Sequence, residues 1–94
     1  MNNPNFTSPR KQKALIIAIE PRLDKNKKDF WIIKTQLDAK TVRNYLAFST
    51  DYNLDHRTKS ILVNSIPQVV DKLVVLTISQ HGEKEKVIAM ELEK

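Results

Sequence analysis

The sequence predicts a mainly β domain of five strands and one short helix, in the order β-β-β-α-β-β. Three observations predict it. Val, Ile, Thr and aromatic residues gather in five short runs parted by turn-forming residues. One segment keeps apolar residues at helical spacing. The 94 residues suffice for one core and leave no room for two; a chain of this size buries roughly two-thirds of its unfolded surface.

Residues 1–11 are polar, with Pro4, Pro9, Arg10 and Lys11, and read as a flexible basic N-terminal arm that Phe6 can tack down. A single domain over 12–94 follows. "KALIIAIE", rich in β-branched residues, predicts a first strand over about 13–20, ending at Pro21. "DKNKKD" has no apolar residue, and its Asp24 and Asn26 tolerate turn geometry. "FWIIKTQL" then returns as a second strand over about 29–37. After "DAK" comes "TVRNYLAFS", residues 41–49, where Val, Tyr, Phe and Thr favour a strand; a helix capped by Thr41 is the alternative. Leu54, Ile61, Leu62, Ile66 and Val69 recur at helical spacing. They predict a helix over about 55–66, with Asp55 as cap, Leu54 as staple and Pro67 as stop. "KLVVLTIS" and "EKVIAMEL" are the last strands. The turn between them contains Gly82, the only glycine, expected at positive φ.

Composition excludes several chemistries. With no cysteine there are no disulfides, thiol nucleophiles or zinc–thiolate sites. No apolar run approaches the roughly eighteen residues of a membrane helix, and "MNNPNFTSPRKQK" has no signal-peptide core; a cytoplasmic protein is expected. His56 and His81 lack ligand partners at metal-site spacing and read as surface histidines. The carboxylates are scattered among caps and turns, and one glycine cannot build a phosphate loop. Neither an enzyme nor a cofactor is expected. The net charge is +5, and its distribution is uneven. Residues 1–47 hold ten Lys/Arg against four Asp/Glu; residues 48–94 hold six against seven. A basic half favours a directed face for a polyanion.

The element order, the element lengths and the "VDKLVVLTI" entry to the fourth strand together resemble the OB-fold superfamily, over about residues 13–93. Val70 stands where that entry usually has glycine. The resemblance implies a five-stranded barrel with its helix between strands 3 and 4. It also implies binding of single strands on the outer face of strands 2 and 3, between the 1–2 and 4–5 loops.

Alternation places Trp31, Ile33, Thr35 and Leu37 on one face of the second strand, and Phe30, Ile32, Lys34 and Gln36 on the other. The first set suits the interior. A one-residue slip would exchange the two faces, with Trp31 outward and Phe30 inside. On the third strand, Val42, Asn44, Leu46 and Phe48 are expected inside, with Arg43 and Tyr45 outside. Phe30, Lys34, Arg43 and Tyr45 then form an outer patch of two rings and two cations. Arg22, Lys25, Lys27 and Lys28 extend it through the first turn, and Lys84 and Lys86 close it from the last. Rings stack on unpaired bases and cations hold phosphates. A lysine cluster in a turn is also ordinary solvated surface, and Phe30 could instead pack under the loop or the arm. The expected function is non-catalytic binding of single-stranded nucleic acid, DNA ahead of RNA, with little sequence preference, as in DNA replication or recombination.

Two alternatives stand beside it. One is a protein-interaction subunit of a DNA-processing complex, using exposed apolar residues of the last strands, with a partner protein or a homo-oligomer. The other is a winged-helix duplex binder, with 41–49 and 55–66 as a helix pair. Against this second alternative, the later helix carries only Arg57 and Lys59 as cations.

Overall fold

The structure is a computed structural model that describes residues 9–93, apart from the side chain of His81; the expected arm over residues 1–8, its Phe6 and that histidine side chain lie outside the described residues. Five strands and a helix form in the expected order: β1 (Arg10–Leu23), β2 (Asp29–Gln36), β3 (Val42–Phe48), α1 (His56–Asn64), β4 (Leu73–His81) and β5 (Lys84–Leu92). A 3₁₀ turn, Ile66–Gln68, follows the helix and contains Pro67. The strands close a barrel in the order β1-β2-β3-β5-β4, with β4 pairing back onto β1. All pairs are antiparallel except β3 with β5.

β1 is longer than expected at both ends. Arg10 and Lys11 pair with Ile78 and Thr77, so they belong to the strand rather than to an arm. The strand also runs through Pro21, which pairs with Trp31. Proline is tolerated there because β4 pairs only with Arg10–Leu15; further along, β2 is the sole strand partner among the described residues, which leaves the other edge of β1 open to the proline.

The interior is filled by Ile16, Ile33, Tyr45, Leu76, Ile78 and Val87 among others. Trp31 is 3% exposed and lies directly across from Ala47. A small residue opposite the indole leaves it the room it needs, since facing side chains of a pair share one side of the sheet.

The helix is joined to the barrel through backbone groups. The Asp55 carboxylate accepts from Thr58 N at 3.2 Å, the expected N-cap. Asp55 N donates to Ile88 O at 2.7 Å, and Met90 N donates to the buried Thr58 hydroxyl at 2.9 Å. Leu62 and Leu54 bury against the core; full burial of one such side chain stabilises by about 1.5–3 kcal/mol. The helix stops at Asn64, two residues before the expected end, because Pro67 and the Ser65 conformation divert the chain into the 3₁₀ turn.

Candidate nucleic-acid interface

Pairing register aligns the outer side chains of β1, β2, β3 and β5 into rows. Arg22, Phe30 and Phe48 form the first row. Glu20, Ile32, Leu46 and Lys86 form the second. Ala18, Lys34 and Asn44 form the third. Phe30 therefore faces outward and Trp31 inward, as the apolar company of Ile33 suggests. The Phe30 and Phe48 rings stack with centroids 5.6 Å apart and planes 24° from parallel. Lys86 Nζ stands 5.1 Å from the centre of the Phe48 ring, within range of a cation–π attraction.

On the third strand the expected faces are exchanged. Tyr45 is 2% exposed and Ala47 is fully buried, whereas Leu46 and Phe48 lie on the half-exposed outer side. The cause is the β2–β3 turn. Asp38 accepts from Lys40 N at 2.8 Å and Thr41 N at 2.9 Å, and Leu37 N donates to Thr41 O at 2.8 Å. That closure sets Gln36 against Val42 and, further along, Trp31 against Ala47. With Trp31 inside, the odd-numbered residues of β3 must be inside too. Tyr45 thus offers no ring to a ligand. Arg43 leaves the patch with it: its guanidinium lies 3.5 Å from Glu85, a carboxylate that also pairs with Arg10, where β3 and β5 begin. Burial pushes the Tyr45 phenol above its ordinary pKa, and nearby Glu85 adds to this while Arg10 and Arg43 pull the other way.

The other candidates divide into two groups. Lys34 and Arg22 both pair with Glu20, Lys34 at 2.6 Å. Lys34, by its hydrogen bond, and Arg22 hold the Glu20 carboxyl below its ordinary pKa. Lys25, Lys27, Lys28 and Lys84 are exposed, Lys86 is half-buried, and among the described residues none of the five makes an ion pair. The β1–β2 turn that presents three of them is tightly built. Asp24 accepts from Asn26 N at 2.8 Å and Lys28 N at 2.9 Å, and Lys27 adopts φ 62°.

Sequence reasoning missed Phe48 as an outward ring, and it missed Tyr52. Tyr52 is fully exposed and lines a shallow hollow of about 360 Å³ with Phe48, Thr50, Asp51, Lys84 and Lys86. Phe48 was legible from hairpin parity; nothing in the spacing of "STDYNLD" marks Tyr52. Among the described residues no group of His, Asp or Glu is placed to hold a metal, and no helix is long and apolar enough to cross a membrane.

The arrangement can do one kind of chemistry well. The half-exposed rings form an apolar surface on which a planar ligand can stack, and ammonium groups without ion pairs among the described residues flank it to meet negative charge. Comparisons with protein-family models, with curated proteins and with solved structures return no match for this chain.

Proposed function

We propose that this protein is a non-catalytic binder of single-stranded nucleic acid, DNA in preference to RNA, with little sequence preference, and that the strand lies on the outer face of β2, β3 and β5. The observation that carries the reading is the stacked Phe30–Phe48 pair with Lys86 beside it. Lys25, Lys27 and Lys28 in the β1–β2 turn and Lys84 beside Phe48 make no ion pair among the described residues and supply positive charge around the two rings. The barrel order, with its helix between β3 and β4, is compatible with an OB fold, whose members use this face. Bases stack on rings without regard to identity, so weak sequence preference follows from the chemistry.

The test is a titration of oligo-dT and of duplex DNA at several salt concentrations. Single strands should bind more tightly, and affinity should fall linearly on a log–log salt plot through counterion release. Phe30→Ala and Phe48→Ala should each lose about 1–3 kcal/mol of binding, the scale of one base stacked on a ring. Absence of oligo-dT binding at low salt would end this reading.

The second reading is an interaction subunit of a DNA-processing complex. It draws on Leu73 and Leu92, each at least half exposed on the last two strands. Co-purification with a partner, together with no intrinsic affinity for nucleic acid, favours it. The duplex-binding alternative needs residues 41–49 as a helix, and residues 42–48 are β3.

A further inference from the structure

The outer surface of β1, β4 and the far end of β5 carries a pattern that the ring ledge does not use. Register lays three rows across it, with β4 in the middle. Lys11, Thr77 and Ala89 form one row; Lys13, Val75 and Glu91 form the next. In the third, Leu15 pairs with Leu73, and Leu73 O accepts from Glu93 N at 3.0 Å. Cations therefore line the β1 side, carboxylates line the β5 side, and Leu73, Val75 and Thr77 run between them. Lys11, Lys13, Leu73, Glu91 and Glu93 are exposed, Leu73 at 56%. Ile17, also exposed, continues the apolar strip beside Leu15.

The Lys13–Val75–Glu91 row of this surface is complementary to itself when turned about an axis that runs along β4. That rotation sets Lys13 of one copy against Glu91 of the other, twice, and brings Leu73 and Val75 onto their own counterparts. An axis across the strands would set lysine on lysine and carboxylate on carboxylate. The charge pattern thus selects one of the two face-to-face pairings. The selected one keeps strand directions nearly aligned, as packed sheets prefer, and it is isologous, as a two-fold interface must be. Within one copy Lys13 already reaches Glu93 at 3.0 Å across β4. That pair is solvent-exposed and exchangeable for a contact between copies. We infer that two copies of this chain associate through the β1–β4–β5 face, about a two-fold axis along β4, with Lys13–Glu91 contacts on either side of an apolar centre. The pairing does not rest on nucleic-acid binding, and it leaves Phe30 and Phe48 open on each copy.

Sedimentation equilibrium on the full chain without nucleic acid tests it. The wild type should have twice the 10.9 kDa chain mass. Lys13→Glu and Glu91→Lys should each shift to the single-chain mass, with circular dichroism unchanged because both positions are exposed. An equimolar mixture of the two variants should regain the doubled mass, since every 13–91 contact in the mixed pair again joins opposite charges. A wild type at single-chain mass, single variants that keep the doubled mass, or a mixture that stays monomeric would each overturn the inference. Recovery in the mixture also separates a lost interface from a lost fold.

Discussion

Lys27 holds φ 62° in the β1–β2 turn, a conformation that costs an L side chain roughly 1–2 kcal/mol and glycine almost nothing. Lys27→Gly should therefore stabilise the fold by about 0.5–1 kcal/mol in chemical denaturation, after the extra chain entropy of glycine is counted. On the proposed strand-binding reading, the same substitution should lower the salt slope of oligo-dT binding by somewhat under one unit, the share of one phosphate contact. Glu20 makes the opposite case. It sits within the ledge and occupies both Lys34 and Arg22. Glu20→Gln should tighten oligo-dT binding by about two- to five-fold, the scale of an exposed charge pair; weaker binding would show that Glu20 orients these cations rather than competing for them. In the interior, Ala47→Leu has no room opposite Trp31 and should cost about 1–3 kcal/mol. Single residues were legible where their own chemistry decides their place. Asp55 caps a helix and Gly82 takes its positive φ of 61°, whereas Trp31 was placed by the apolar residues that share its strand face. Tyr45 and Phe48 were not, since both are aromatic and only the partner strand decides which one turns inward.

At the scale of elements, the β2–β3 hairpin shows how a turn outranks local apolar count. On β3 the letters favour Val42, Leu46 and Phe48 as the buried face, yet the Asp38 turn pairs Trp31 with Ala47 and reverses it. Extending the parity of the turn would have given the right face; counting apolar residues strand by strand could not. The bonds from Lys40 N and Thr41 hold the Asp38 carboxyl below its ordinary pKa. A depressed carboxylate stabilises the fold above its unfolded pKa, and that contribution is lost as pH falls through the folded value. Melting temperatures should thus drop in acid, below the ordinary Asp range, and Asp38→Asn should flatten that acid limb. For α1, Thr58→Val keeps the shape but removes the acceptor for the Met90 N–H. A buried donor left unmet costs about 1–3 kcal/mol, so urea unfolding should show a loss of that order with an unchanged m-value.

The whole molecule was more legible than its site. Five strands, one helix and their order follow from where β-branched runs stop and where helical spacing begins; closure of the barrel was expected only from the resemblance to the OB fold, and the strands do close. The reach of β1 past Pro21 was hidden, because open-edge status depends on how far β4 extends, which no local stretch encodes. The site depends on two register choices at once, one per strand, so a single misplaced parity replaced Phe48 by Tyr45. The corrected ledge joins adjacent rings across neighbouring strands, and the cation beside them comes from a third. The central claim is that bases stack on Phe30 and Phe48. The most direct measurement is proton NMR of the protein with oligo-dT, seeking contacts between thymine methyls and the ring protons of these two residues. Stacking on the two rings predicts such contacts, with upfield shifts of the thymine signals. Binding with no contact to either ring, or with shifts confined to the Leu73 and Leu92 side of the barrel, would contradict it.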